Sequence, residues 1–572
     1  MAVLTAPALR TKAPAVLRNR AVGKLLLLAL VTAVLLPVLH GRAWPHHLTV
    51  SLTKPLTDAS GWIIDNRDTH PLFLYFFGYV SEAVVLSVRA VYVTLLAIGW
   101  PGVTVLGALV AWRVAGPRLA TGTAVAFLAC GVLGMWEPTM QTLALMVVAV
   151  LASVLVGVVL GLAGGLSERL DRALRPVLDT MQVLPAFAYL LPVVLVFGIG
   201  VPAAVLATVV YAAPPMARLT ALGLRGADPE VLEAVESLGA TRRQRLLTAR
   251  VPLARKELLL GLNQTIMMAL SMAVIASVIG AGALDWPNGW SLDIAQPVNH
   301  AVDWMTSHLY SGVPVVGGTA DWAGHFTTWV LDPIRDGLQW LPWWSVLLIV
   351  AALAWLIGTW RTALTAVLAM AAIGVLGVWE PSLDTLSQVL AAVAVTLVLG
   401  IATGIAAARS DRVERALRPV LDVFQTMPQF VYLIPVVALF GVGRAPAVAA
   451  AVVYALPAVV RITAQGLRQV DPAALESARS LGATGRQQLW QVQLPLARRA
   501  LLLAVNQGVV LVLAVVIIGG LVGGGALGYD VAYGLAQGDL ATGLVAGAAI
   551  VCLGLMLDRV TQPTERRAGK GA

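Results

Sequence analysis

The chain has 572 residues, of which 59% are hydrophobic and only 12% charged, at a mean hydropathy of +0.83. Soluble chains carry about 25% charged residues, so this composition excludes an ordinary soluble protein and places the chain in a bilayer. The formal charge of +9 does not argue for nucleic acid, because the basic residues sit in short loops between apolar runs, where membrane orientation selects them.

In chain order, Arg10, Lys12, Arg18, Arg20 and Lys24 precede the apolar run Leu25–Leu39. The run reads either as a cleaved signal peptide or as an uncleaved first span near 24–40. His40-Gly41-Arg42 offers no small-x-small cleavage site and favours the span. Residues 1–95 then comprise this span and an extracytoplasmic segment. Within it Phe76–Leu95, interrupted by Glu82 and Arg89, is expected as an interfacial helix, with a tilted extra span as the alternative. A first membrane unit occupies 96–284, with spans near 96–114, 119–135, 139–165, 177–200, 203–221 and 257–281. A Trp-rich extracytoplasmic linker follows at 285–342. The second unit, 343–560, has spans near 343–359, 362–378, 382–408, 420–442, 445–463, 500–523 and 541–558, and a basic tail closes the chain at 561–572. Each run is long enough to cross a hydrocarbon core. The fold class is all-α polytopic, with about 14 transmembrane helices counted from these runs. Cys130 and Cys552 lie inside apolar runs without metal-ligand spacing and read as small core residues.

The units are copies. Gly131-Val-Leu-Gly-Met-Trp-Glu-Pro138 returns as Gly374-Val-Leu-Gly-Val-Trp-Glu-Pro381. Ala173-Leu-Arg-Pro-Val-Leu-Asp179 returns as Ala416-Leu-Arg-Pro-Val-Leu-Asp422, and Ser237-Leu-Gly-Ala-Thr241 as Ser480-Leu-Gly-Ala-Thr484. Every pair is offset by 243, and the register needs no gap from Trp112/Trp355 to Leu284/Leu527. Trp62 and Trp304 sit in similar settings, so the outer segments carry a fainter echo of the same repeat. An even number of spans per copy gives both copies one orientation: a direct repeat, unlike the inverted repeats of many ion-coupled carriers. Threading the chain from a cytoplasmic N-terminus puts the basic loops Arg169–Arg175, Arg218–Lys256, Arg412–Arg418 and Arg461–Arg499, and the basic tail, on the cytoplasmic side. The acidic 285–342 segment falls outside.

The two longest cytoplasmic loops carry the chemistry. Asp228-Pro229 and Asp471-Pro472 each open a short helix, with Asp as cap and Pro in the first turn. Gly239 and Gly482 end these helices. A second amphipathic helix follows in each loop, and Pro252 or Pro495 stops it before the next span. Glu233-Ala234, with Gly239 six residues on and Pro252 thirteen further, and Glu476, Gly482 and Pro495 at the same spacing, resemble the "EAA" loop of type I ABC importer permeases. Both copies depart mildly from it, the first reading Glu-Ala-Val and the second Glu-Ser-Ala. The segments Gln182–Pro192, Phe197–Gly200 and Asn263–Ser277, with their second copies Gln425–Pro435 and Phe440–Gly443, are similar to the glycine betaine/proline permease branch.

The resemblance implies two permease units fused in one chain. It implies a pathway for a compatible solute such as glycine betaine, proline or choline, and a separate ATPase, with two subunits expected, whose grooves receive the loops through Glu233, Ala234, Leu238, Gly239 and Pro252 and through Glu476, Leu481, Gly482 and Pro495. A separate substrate-binding protein is also implied. The chain has no Gly-x-x-x-x-Gly-Lys-Ser/Thr loop. It is therefore expected to be no enzyme and to hold no cofactor, with ATP and Mg on the partner. The expected home is the bacterial inner membrane, with both termini cytoplasmic and no nucleic-acid partner. A permease for another small solute and an ion-coupled secondary transporter are the alternatives.

Pro185, Pro192, Pro428 and Pro435 interrupt apolar helices, and freed carbonyls in a bilayer need protein or a wet cavity beside them. Pro185 and Pro428, with Gln182, Tyr189, Gln425 and Tyr432, are candidates for lining a pathway. Asn263 and Asn506 either line an inner vestibule or bond between helices, and the interhelical role is the better fit. Asp179 and Asp422 are expected to pair with Arg175 and Arg418, one turn away. The Trp residues of 285–344 are expected as an interfacial belt rather than a cation-binding cage. The second unit ends in a span, 541–558, for which the first has no evident partner.

The topology is testable with single cysteines in a Cys130→Ser, Cys552→Ser background. An impermeant thiol reagent applied to intact cells is expected to label Ser291→Cys and to spare Thr241→Cys. The opposite pattern reverses the orientation.

Overall fold

A computed structural model describes residues 43–183, 186–276, 295–310, 312, 317–537 and 539–561, nearly all of them helical. Every expected span except 24–40, which lies outside the described residues, has a helical counterpart. Among the described residues, seven helices are long and apolar enough to cross a membrane, two further pairs pass the same test as bent spans, and Pro117–Val132 and Trp360–Val375 are shorter apolar helices.

The first unit contains α1 (Thr53–Asn66), α2 (Gly78–Ala115), α3 (Pro117–Val132), α4 (Trp136–Leu166), α5 (Glu168–Val183), α6 (Ala186–Phe197), α7 (Val201–Arg225), α8 (Pro229–Ser237) and α9 (Arg255–Ala276). The junction brings α10 (Ala295–Met305), α11 (Thr319–Phe326) and α12 (Asp332–Trp340). The second unit continues with α13 (Trp343–Ile357), α14 (Trp360–Val375), α15 (Trp379–Arg409), α16 (Asp411–Thr426), α17 (Leu433–Phe440), α18 (Arg444–Arg468), α19 (Pro472–Ser480), α20 (Arg498–Ile518), α21 (Ala526–Gln537) and α22 (Leu540–Thr561).

At the heart of each unit two long helices touch through glycine. In the first, α4 packs on α7. A Cβ on Gly157 would stand 2.6 Å from Met216 Cβ, and one on Gly161 2.4 Å from Thr220 Cβ. In the second, α15 packs on α18. A Cβ on Gly400 would stand 2.6 Å from Val459 Cγ1, and one on Gly404 2.7 Å from Thr463 Cβ. Small residues one turn apart let backbones approach where lipid supplies no hydrophobic drive. α9 packs on both α7 and α4, and α20 on both α18 and α15, completing a three-helix core in each unit.

Three expectations need correction. The interfacial helix over Phe76–Leu95 is part of α2, one helix from Gly78 to Ala115 that crosses residues 95–96 unbroken. Nothing between Tyr79 and Ile98 breaks a helix; the kink comes at Gly99 (φ +71°), just before Trp100-Pro101. The span expected at 420–442 is two pieces. The amphipathic α16 meets the segment Gln429–Phe440 at a 112° bend, because the residue before Pro428 is driven out of the helical region: Met427 is extended, at ψ +134°. The span expected at 177–200 is likewise divided between α5 and α6. Finally, Asp422 pairs with Arg461 of α18 rather than with Arg418, since α18 brings a guanidinium against α16 from a neighbouring helix. The side chain of Asp179 lies outside the described residues, and Arg175 pairs with Asp171 at 2.7 Å.

The repeat reaches further than the sequence register. Arg67 lies over Gly198 at the C-terminal end of α6, with Nη1 3.2 Å from where a Cβ would stand. Tyr310 lies over Gly441 at the end of α17, with its hydroxyl 3.0 Å from the corresponding point. Both pairs are offset by 243. The Gly99 kink in α2 corresponds by the same offset to Pro342, where the chain bends by 106° between α12 and α13. The stretch read as a linker therefore repeats residues 53–99. It is fastened to the second unit by Arg444, which bonds Asp332 at 2.6 Å and stands 3.6 Å from Asp384. Trp304, Trp322, Trp329 and Trp340 are exposed, as an interfacial belt requires, whereas Trp344 is buried.

The N-terminal segment crosses to the other unit. Trp44 is buried between Trp343 and Trp379, with ring centroids at 5.1 and 5.3 Å, and its ring occupies the space where any Cβ on Gly374 would stand. Val50 N–H donates to the Val375 carbonyl at 2.8 Å, and α1 packs on both α6 and α22. One strap thus touches both halves. Removing a buried aromatic ring costs about 3–5 kcal/mol. Trp44→Ala is therefore expected to lower the thermal unfolding midpoint of the purified chain by several degrees, while Trp62→Ala, half exposed, leaves it nearly unchanged. Equal midpoints for the two variants would remove the strap from the account.

Candidate coupling loops and inter-unit seam

The loop geometry follows from local chemistry. Asp228 Oδ1 accepts from the Glu230 N–H and Asp471 Oδ1 from the Ala473 N–H, both at 2.9 Å, capping α8 and α19. The helices end where Gly239 and Gly482 take φ of +78° and +81°, a region costly for any residue with a Cβ. Thr241 and Thr484 then open second helices through capping boxes with Gln244 and Gln487. Pro252 and Pro495 do not stop these helices as expected. A wider π-helical turn, Arg245–Arg250 or Gln488–Gln493, precedes each proline, and the helix ends one residue beyond it, at Leu253 or Leu496.

Glu233, Ala234, Glu476 and both glycines are exposed. Leu238 and Leu481 are 86% and 88% exposed, an unusual place for leucine at a helix end unless something covers it. The opposite side of the second loop rests on an apolar base of Leu467, Val470, Leu489 and Ala497, against which Leu475 packs.

The charge difference between the loops is internal to each. Glu236 pairs with Arg245. At the equivalent places Arg479 donates to Gln488 Oε1 at 3.3 Å. Each pair ties the first loop helix to the second, and the two positions have changed together. These groups are spent within the loop rather than held out to a partner.

The pathway candidates scatter. Pro185, and the side chains of Gln182 and Tyr189, lie outside the described residues. Pro428 stands at the 112° bend, Gln425 is exposed on α16, and Tyr432 is buried. Asn506 is buried and accepts from the Thr561 hydroxyl of α22 at 2.8 Å. Its counterpart Asn263 is exposed. The difference comes from α22, which packs on α20, α21, α13 and α14 and reaches α5 and α6 of the first unit. At the corresponding chain position after α9 stands α10, which packs on α17 of the second unit.

Sequence reading missed Gln429 and Tyr454. Gln429, next to the break at Pro428, is buried, and its Nε2 donates to the Tyr454 hydroxyl at 3.0 Å. The rings of Tyr432 and Tyr454 meet edge to face at 5.7 Å. Tyr211 of the first unit and Tyr454 pack against the same apolar core, which draws residues from both units. Tyr211 and Tyr454 are equivalent by the 243-residue offset, so this cluster sits where the two units meet. The missed signal was that equivalence itself.

The family model for the binding-protein-dependent transport system inner membrane component matches the chain twice, at residues 153–315 and 397–570. The chain belongs to this family. It is a membrane permease with two such units fused. The trimethylamine N-oxide transport system permease protein TmoV of Ruegeria pomeroyi is 31% identical over 538 residues, covering 81% of this chain and 82% of the relative. The glycine betaine transport system permease protein OpuAB of Bacillus subtilis is 37% identical over 271 residues, 47% of this chain and 94% of its own length. The glycine betaine/proline betaine permease ProW of Escherichia coli is 36% identical over 272 residues, 47% of this chain and 74% of its own. Single-unit relatives thus align with about half of the fused permease. As a family member it works with ATPase and substrate-binding partners in the inner membrane.

The loops make a direct prediction. Apolar contact is expected to dominate docking, since exposed ion pairs contribute only about 0.2–1 kcal/mol. Leu238→Asn or Leu481→Asn is expected to abolish co-purification of the ATPase. The double change Glu236→Arg, Arg245→Gln, which transplants the second loop's pair into the first, is expected to retain it. Loss in the transplant with retention in Leu238→Asn would make electrostatics the basis of the contact.

Proposed function

We propose that the chain is the complete membrane pathway of an importer for a small methylated-amine compatible solute, of which glycine betaine and trimethylamine N-oxide are the leading examples and choline and proline further candidates. The observation that carries this reading is the fused pair of units, each bearing a loop with an exposed leucine beyond an Asp-Pro-capped helix, in a chain of which 81% aligns with a trimethylamine N-oxide permease. Two ATPase subunits, which carry ATP and Mg, receive α8 and α19, one each. Both termini and both loops face the cytoplasm. A separate binding protein delivers solute to the outer ends of α6 and α17. The bent segments around Pro428 and between α5 and α6 border the pathway, because backbone carbonyls freed at a break inside a membrane are tolerated only beside protein or a wet cavity.

Family membership and the direct repeat displace the ion-coupled reading. A permease for an unrelated solute stays as the second reading within the same architecture. Uptake of radiolabelled solute by cells producing the chain with its ATPase and binding protein decides between them. ATP-dependent accumulation at least tenfold above vector-only cells is expected for glycine betaine or trimethylamine N-oxide, unaffected by a proton ionophore while ATP is maintained. Accumulation of none of the four solutes would sink the assignment.

A further inference from the structure

We propose that Tyr454, Tyr432 and Tyr211 form an aromatic constriction at the seam between the units, through which the methylated nitrogen head of the solute passes against tyrosine rings. The proposal deepens the methylated-amine reading above and rests on it.

Depth comes first. Tyr211 stands ten residues into α7 from Val201, and Tyr454 ten residues into α18 from Arg444. At 1.5 Å per residue both lie about 15 Å along 25-residue helices that begin at the outer ends of the units, so they are near mid-depth. Being equivalent in the repeat and packed against one core shared by the two units, they flank the axis that relates the units. A pathway shared by two equivalent units has to run along that axis.

Chemistry comes second. The Tyr432 hydroxyl donates to the Phe424 carbonyl, and the Tyr454 hydroxyl accepts from Gln429 and keeps one proton to donate. Apart from that single O–H, what these side chains have left to offer is ring face and ring edge. The charged residues of the adjoining helices lie toward the ends rather than beside the rings: Arg444 and Asp384 outside, Arg218, Asp422, Arg461 and Asp558 inside. Ordinary amino acids and sugars need hydrogen-bond partners at such a passage. A fully methylated nitrogen has no N–H to donate, carries positive charge on its methyl groups, and is held by π faces at about 0.5–2 kcal/mol per ring. The lining therefore matches a trimethylated head and mismatches a hydrogen-bonding one.

Fixation comes third. Gln429 has no counterpart in the first unit, where Ala186 stands at the equivalent place. The second-unit tyrosines are held by the short turn Gln429–Tyr432, which begins where the chain breaks at Pro428. When the units move apart, that turn and α18 move as one half and Tyr211 with the other, opening the constriction along the seam.

The test is uptake of glycine betaine by cells producing the whole system, with the unmodified chain as reference. If the reference does not transport, the functional reading fails. If it does, the variants report on the constriction alone. Tyr454→Phe keeps the ring and is expected to hold the maximal rate within twofold. Tyr454→Leu is expected to lower that rate about tenfold at an unchanged half-saturating concentration, with the variant still in the membrane and still co-purifying with the ATPase. A Leu variant running at half the reference rate or better overturns the proposal, and so does a Phe variant as slow as the Leu variant. If Tyr454→Leu does not accumulate in the membrane, Tyr211→Leu takes its place under the same criteria.

Discussion

Everything in this molecule is hung on two close helix crossings. Gly157 and Gly161 of α4 against Met216 and Thr220 of α7, and Gly400 and Gly404 of α15 against Val459 and Thr463 of α18, bring backbones to distances at which a single added methyl would collide. In water such contacts would be one contribution among many. In lipid they are the main source of helix association, because apolar burial between helices gains little there. The crossing fixes α7 and α18, and these two helices carry Tyr211 and Tyr454 near their middles and lead directly into α8 and α19.

The loops show how little sequence is needed to build a docking surface. An Asp-Pro start, a left-handed glycine and a threonine capping box determine two short helices and the angle between them. The consequence is a leucine placed almost wholly in solvent. The adjacent charges are consumed by the loop itself, through Glu236–Arg245 in one copy and Arg479–Gln488 in the other. A pair that changes together in this way conserves the angle between the two loop helices rather than a charge pattern. Two loops of different charge can therefore meet similar grooves.

Much of this was legible in the sequence, for identifiable reasons. Gly239 and Gly482 announce their left-handed turns because no other residue adopts that conformation cheaply, and the caps follow from Asp-Pro spacing. The repeat is visible wherever both copies share function-bearing residues. It fades outside that stretch, where Arg67 and Tyr310 do the same work with different side chains over Gly198 and Gly441. The divided spans were misread because apolar composition does not reveal direction: Asp411–Thr426 and Gln429–Phe440 score as one membrane crossing, yet Pro428 turns the chain by 112° between them. Trp44 was invisible as an anchor, since its partners Gly374, Trp343 and Trp379 lie some 300 residues away in the other unit. Asn263 and Asn506 look equivalent in sequence. Only the presence of α22 beside one of them makes that one an interhelical acceptor.

Fusion explains why the two halves have been free to differ. Two separate identical chains would have to satisfy every position twice. Here one strap, Trp44–Val50, is fastened to the second unit although it precedes the first, and one helix, α22, closes the second unit while touching α5 and α6 of the first. Arg444, Asp332 and Asp384 form an ion network at the N-terminal end of α18, where the equivalent positions of the first unit hold Val201, Arg89 and Gln141. Gln429 holds a tyrosine in the second unit, while Ala186 occupies that place in the first. All four differences put the added fastening on the second unit. Among the described residues, that half is the better braced of the two.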